Sequence, residues 1–275
     1  MSSMPNIIKL ITPPIIQKIA RLTNNPKDRL REKELNKLRL LPRYQPTTTN
    51  LLGTEIEIVD ACTFLGGYHE IIEGKIYEFK ASSEKPLIID CGANIGLSVF
   101  FFKTLYPSSR IIAFEADPII FNTLVKNVSN LGLTDVEIHN EAIWTDETYI
   151  SFCREGAYSG RIPKPGDRDS MIEVKTTRLR DILNQKIDFL KLDIEGAETE
   201  VIRDCEDRLT NVEHIFLEYH SHMQEKQTLH EILSIMQKAG FRYHILEAFS
   251  SQHPFMKREL MLGMDLQLNI FGYRV

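Results

Sequence analysis

The chemistry-bearing residues of this 275-residue chain fall into two sets. The first is Asp90-Cys91-Gly92-Ala93-Asn94-Ile95-Gly96. Its glycines permit a tight turn and the close approach of a ligand. The turn lies between an apolar run, Leu87-Ile88-Ile89, and the helix-like run Leu97–Phe102, so backbone N–H groups at the start of that run can hold an anionic group. Two nucleotide-loop readings fail on spacing. A P-loop needs Lys-Ser/Thr after its second glycine, where Leu97-Ser98 stands; a dinucleotide fingerprint needs a third glycine, where Leu97 stands. Asp90, two residues before the first glycine, would repel a pyrophosphate and suits a ligand carrying an ammonium or sulfonium group. Glu115 closes the next apolar run, 19 residues past Gly96. An acid at that spacing can accept both hydroxyls of an adenosine ribose, although it can also be a solvated strand-end acid, and Glu115 taken alone would fit NAD.

The second set is Lys191, Asp193 and Glu195, with Glu218, Tyr219, His220 and His222 at the end of the following apolar run. Strand alternation puts Phe189, Lys191 and Asp193 on one face. A lysine in a central strand calls for a carboxylate partner. Asp193 therefore has two readings that stay open: half of a structural ion pair, or a catalytic base and organiser of the acceptor. His220, with an unperturbed pKa of ~6.5, suits proton removal near neutrality. Asp193, His220 and Lys191 are thus the catalytic candidates, and Glu195 and Glu218 the groups expected to face a substrate. Acids and histidines drawn from different strands are not a ligand-spacing signal, so no metal is expected.

Asp90–Gly96 resembles motif I of class I S-adenosylmethionine-dependent methyltransferases. Phe189-Leu190-Lys191-Leu192-Asp193-Ile194-Glu195-Gly196-Ala197-Glu198 resembles the L-K-x-D-x-E-G-x-E signature of the FkbM family within that class. The similarity covers roughly residues 68 to 220. It implies S-adenosylmethionine as cofactor, with Asp90, Gly92, Asn94 and Gly96 along its methionine end, Glu115 on the ribose, and Glu141, Ala142 and Ile143 bordering the adenine. Asn94 as a mere turn former and Ala142 and Ile143 as plain core are the bland alternatives. The resemblance further implies O-methylation of a hydroxyl on a small molecule or glycan, with S-adenosylhomocysteine released. A NAD-linked oxidoreductase and a non-catalytic S-adenosylmethionine-binding subunit are the competing readings. Asp193-Ile194-Glu195-Gly196 is not the proline-aromatic tetrad of N-methylating nucleic-acid enzymes.

Strands alternate with helices from Leu87 onward, which specifies a three-layer α/β domain. The expected strands are Leu87–Asp90, Arg110–Glu115, Val136–Asn140, Ile187–Asp193 and Val212–Tyr219, followed by runs near Phe241–Glu247 and Leu266–Tyr273. The resemblance makes this a Rossmann-like, mostly parallel seven-stranded sheet with one reversed strand. Three segments are expected: a basic helical arm at 1–50, a strand-rich lead-in at 51–86, and the main domain at 87–275. An insertion at about 146–178 contains a loop at 156–166 that reads as a lid or substrate reader. Gly66-Gly67 reads as a turn, and Thr177 as the cap of a short helix at 178–183.

The net charge of −5 gives no case for nucleic acid as a partner. Residues 1–43 nonetheless hold ten Lys/Arg against three Asp/Glu, a balance of +7. The arm either docks on its own domain or a second subunit, which the Pro13-Pro14 interruption favours, or lies through residues 1–40 on the inner face of an anionic membrane. Four cysteines without C-x-x-C spacing suit a reducing compartment, so a cytoplasmic setting is expected. Acceptor choice is expected to lie with the insertion, the arm and the Glu218–His220 rim.

Overall fold

A computed structural model describes residues 26–154, 160–161 and 171–275. The central sheet has seven strands in the order β12-β13-β11-β10-β3-β4-β5. These are β3 (Leu87–Cys91), β4 (Arg110–Phe114), β5 (Val136–His139), β10 (Ile187–Leu192), β11 (Val212–His222), β12 (Arg242–Ser250) and β13 (Met264–Tyr273). β13 runs antiparallel to both of its neighbours, while β11, β10, β3, β4 and β5 pair in parallel. This is the expected sheet with one reversed strand.

Alternation within the strands divides the core in two. Ile89, Cys91, Leu190, Leu192, Ile215 and Leu217 face α6 (Glu198–Asp204) and α7 (Leu229–Lys238). Ile88, Ile111, Phe189 and Phe216 face α3 (Leu97–Leu105) and α4 (Pro118–Asn130), with Tyr77 packed among them. Continuous apolar runs are what a parallel sheet covered on both faces requires. The order of crossovers brings the carboxyl ends of β3, β4, β10 and β11 to one rim, where ligands bind in open α/β sheets.

The lead-in differs from expectation. Between residues 51 and 86 only β2 (Ile56–Ile58) is a strand, paired with β1 (Thr47–Thr49). The chain then turns into α2 (Ala61–Gly67) and a π-helical turn, Tyr68–Glu73. Asp60 starts α2 by accepting the Thr63 N–H at 2.9 Å, an N-cap. Gly66 and Gly67 thus end a helix instead of forming a free turn. α1 (Pro26–Arg39) buries Leu35 and Leu38 against Ile56, Ile58, Phe64 and Tyr68, so this part of the arm docks on its own domain. Residues 1–25 lie outside the described residues.

The insertion forms a four-stranded sheet, β6-β9-β7-β8, from β6 (Ala142–Trp144), β7 (Tyr149–Arg154), β8 (Gly160–Arg161) and β9 (Met171–Arg178). Most of the expected loop at 156–166 lies outside the described residues. Thr177 caps no helix: it belongs to β9 and its hydroxyl donates to Glu141. The following helix, α5 (Leu179–Ile182), starts at Arg178 without a side-chain cap. Among the described residues no helix is long and apolar enough to cross a membrane.

Candidate active site

The Gly92 turn is shaped by its contacts. Gly92 has φ +89°, and a Cβ placed there would stand 2.0 Å from the Asp193 carbonyl oxygen. Only glycine fits, because the ends of β3 and β10 touch at this point. The N–H groups of Gly92 and Ala93 both donate to the Phe114 carbonyl, at 3.0 and 2.9 Å. Asn94, at φ +48°, donates its N–H to Glu115 Oε2 at 3.0 Å, and the Asp117 N–H reaches Oε1 at 2.8 Å. Each carboxylate oxygen of Glu115 therefore holds one backbone donor and keeps acceptor capacity toward the cavity. Burial pushes this carboxyl up to about 7, against the pull of the two N–H groups.

Two cavities meet at this turn. The first is walled by Phe114, Ala142, Ile143, Ile150 and Phe152 and has Glu115 and Glu141 as its polar groups. The second runs from the same turn past Lys191 to Tyr77, Glu70, Glu218 and Gln267. Both are lined by Gly92, Asn94, Asp193 and Glu195. A third groove shares Glu70, Glu218 and Gln267 with the second and leads outward past Asn269 and Leu246.

At the junction, Lys191 Nζ lies 3.2 Å from Asp193 Oδ2 and 3.4 Å from Asp90 Oδ1, and donates to the Gly92 carbonyl at 2.8 Å. Burial disfavours the charged ammonium, but Asp193 and Asp90 outweigh it and hold Lys191 well above the ordinary lysine range. It is a permanent cation that ties the first turn to the second motif. His220 is buried, with Nδ1 3.0 Å from Glu198 Oε1 and Nε2 3.5 Å from Glu195 Oε2. Glu198 is itself fixed by the N–H groups of Ile194 and Gly196. Burial would lower the imidazole pKa; Glu198, with Glu195 and Glu218, raises it well above the usual value. Burial, reinforced by Asp193, also raises Glu218 well above the carboxylate range, and Gln267 donates to it.

The structure brings most of the sequence-derived candidates together. Gly92, Asn94, Glu115, Glu141, Ala142 and Ile143 line the first cavity, and Glu195, Glu218, Lys191 and Asp193 the second. Asp90, Gly96 and His220 line neither. Asp90 is fully buried beneath the turn, accepting from Ser98 Oγ at 2.5 Å and facing Lys191, because a carboxylate there neutralises the lysine from below. Gly96 sits at φ +96° with Leu124 against it and turns the chain into α3. His222 lies beside the Gly196 turn. Among the described residues, the insertion contributes Ile150 and Phe152 to the first cavity and none to the second. Sequence reasoning missed Tyr77 and Glu70. Tyr77 is 4% exposed, its ring packs on Phe102, Phe189 and Phe216, and it lines the second cavity. Glu70 accepts from Asn269 at 3.1 Å, and burial raises its pKa. Their one sequence signal is that both fall within the stretch of family resemblance, which begins at about residue 68.

With this geometry in place, the family comparison is decisive: the Methyltransferase FkbM domain matches residues 90–243. The chain belongs to the FkbM methyltransferase family. Membership implies S-adenosylmethionine as the methyl donor. The relatives include Methyltransferase 1 of Beauveria bassiana, 26% identical over 165 residues, which are 51% of this chain and 66% of that protein. The 2-O-methyltransferase NoeI of Sinorhizobium fredii is 29% identical over 156 residues, 49% of this chain and 63% of that one. The chain thus spans just under two thirds of the length of these relatives. Among solved structures it is similar to the FkbM methyltransferase of Methylobacillus flagellatus, with 16% identity, a TM-score of 0.46, and coverage of 70% of this chain and 45% of that one. It is also similar to TYW2 of M. jannaschii in complex with AdoMet, with 13% identity, a TM-score of 0.47, and coverage of 86% and 90%.

Proposed function

We propose that this FkbM-family protein transfers a methyl group from S-adenosylmethionine to a hydroxyl of a small molecule or glycan. The observation that carries the reading is the meeting of two differently built cavities at Asp193 and Glu195.

The first cavity fits the donor. Apolar walls at Phe114, Ile143, Ile150 and Phe152 suit an adenine, with Glu141 and Ala142 at its border. Glu115 presents two oxygens to the ribose hydroxyls, and the Gly92–Asn94 turn, which a Cβ at Gly92 would drive into the Asp193 carbonyl, borders the donor's methionine end. When bound, the donor supplies a methyl already activated by its sulfonium charge. The protein's own work is to position the acceptor and receive its proton. Asp193, held by Lys191 at the junction, is the group that receives it. Lys191 acts through Asp193 and the Gly92 turn and is a positioning residue. His220, flanked by Glu195 and Glu198, already holds its proton at neutral pH, so it orients Glu195 and is a poor base. Glu195, Glu218, Gln267 and Tyr77 offer the acceptor's hydroxyls partners along the second cavity. Its place of action in this reading is the cytoplasm, with no nucleic acid partner, in keeping with the cysteine pattern and the net charge of −5.

Calorimetric titration with S-adenosylmethionine, S-adenosylhomocysteine and NAD tests this. Binding of the first two and not the third is expected. Binding of NAD alone would replace the reading with an oxidoreductase. Donor binding without turnover on any hydroxylated acceptor would leave a binding subunit.

A further inference from the structure

Five carboxylates, Glu70, Asp193, Glu195, Glu198 and Glu218, converge around the junction, against the cations Lys191 and His220. Lys191 is spent on Asp90 and Asp193. The sulfonium group of a bound donor brings one more positive charge to this junction, where burial holds Glu70 and Glu218 toward their neutral forms.

Within this region one oxygen each of Asp193 and Glu195 and one nitrogen of His220 lie within 4.8 Å of one another. Donors on a first-row ion at ~2.1 Å lie up to ~4 Å apart, so closing the set takes sub-ångström movements of two side chains that are 22% and 28% exposed. The histidine needs no rearrangement. Its Nδ1 is held by Glu198, which two backbone N–H groups fix in turn, and this leaves Nε2 facing Glu195. A carboxylate behind the imidazole is how metal-ligating histidines are oriented. Glu195 holds its place with φ +57°, a backbone state that costs a non-glycine residue free energy. Tyr77 and Glu218 line the same cavity with Asp193 and Glu195, so oxygen groups surround the open side of the set.

We propose that Asp193, Glu195 and His220 bind a divalent first-row transition cation whose open positions face the acceptor cavity. One nitrogen and two carboxylates are a mixed set that suits manganese, iron or cobalt better than an all-oxygen site suited to magnesium or calcium. The ion lies between Glu195 and the imidazole Nε2, the ring nitrogen that faces it, and displaces any proton there. It holds the acceptor's oxygen beside the methyl position and makes its hydroxyl more acidic. This refines the methyltransferase reading and rests on it for the ion's role, though not for its binding.

The test uses the full chain, stripped with chelator and without donor. Manganese(II) is titrated while the spectrum of the free ion is followed by electron paramagnetic resonance, and cobalt(II) while its visible absorption is followed. One equivalent should bind. Glu195→Gln, on the exposed rim, should weaken binding at least tenfold; Glu198→Gln, behind the histidine, by about tenfold; and His220→Ala should abolish the cobalt absorption band. S-adenosylhomocysteine affinity is measured on the wild-type protein, and thermal unfolding of every variant reports the fold, with Tm expected within a few degrees of wild type. Failure of wild-type protein to bind either ion at millimolar concentration overturns the proposal, as does binding that survives Glu195→Gln and His220→Ala unchanged. Ion binding without any donor binding would sink the methyltransferase reading and leave the ion site standing.

Discussion

The two halves of the cleft are built in opposite ways. The donor half is mostly local: β3, its turn, β4 and the stretch to Ile143 supply more than half of it, Ile150, Phe152 and the end of β10 complete it, and its two key hydrogen bonds join Glu115 to Asn94 and Asp117. The acceptor half is assembled from the lead-in (Glu70, Tyr77), β10 and β11 (Lys191, Glu218) and β13 (Gln267). The donor half has apolar walls with Glu115 and Glu141 of its own, whereas the acceptor half is crowded with charge. A shared cofactor needs a fixed, repeated pocket, and an acceptor site assembled from distant segments can change without disturbing it. Substitutions on the two sides should therefore separate donor affinity from turnover.

The largest effect is expected where both halves touch. Gly92→Ala drives a methyl to within 2.0 Å of the Asp193 carbonyl, so donor binding should fall more than ~100-fold in calorimetry with several degrees lost in Tm. A donor-competent Gly92→Ala would break the claim that the two motifs meet there. Next, Asp193→Asn should lower kcat by ~100-fold or more while donor Kd changes less than about threefold; equal losses in both would erase the division between the halves.

Glu115→Gln stands third and acts on the donor side alone. Loss of a charge-assisted hydrogen bond should weaken the donor about tenfold. The same carboxyl predicts a pH dependence. Its pKa rises from 4.5 in the unfolded chain to about 7 in the empty fold, so its stabilising contribution is present below pH 4.5 and is lost as pH rises through about 7. Ribose hydroxyls favour the ionised form. Donor affinity should therefore rise with pH up to about 7 and then level off, and the slope should vanish in Glu115→Gln. The smallest effect is Tyr77→Phe, an acceptor-side change: the acceptor KM should rise about fivefold with donor Kd unmoved.

Legibility in the sequence followed the same divide. β3, its glycine turn and Glu115 are contiguous in effect, and a buried parallel strand leaves an apolar run that ends in its functional residue. Lys191 was readable as a paired cation because alternation puts it on the face of Asp193, although its second partner, Asp90, depends on β3 and β10 being neighbours. The imidazole of His220 was readable as a titrating group, but its environment was not. Glu198 was legible as the last residue of the family signature, and the fold brings it back onto His220. Glu70 and Tyr77 carry no motif, and the insertion's lining of the donor cavity rests on β6 pairing with β9. Thr177 shows the limit of local chemistry: a threonine before a short helix is a good cap in isolation, and strand pairing claimed it first.

The hydrogen bond between Asn269 and Glu70 joins positions 199 residues apart. Closing so long a loop costs entropy that nearby contacts do not, and long-range pairing of this kind forms late. During synthesis the donor half can take shape while β13 is still unmade, so the mouth through which an acceptor enters is the last part of the cleft to exist.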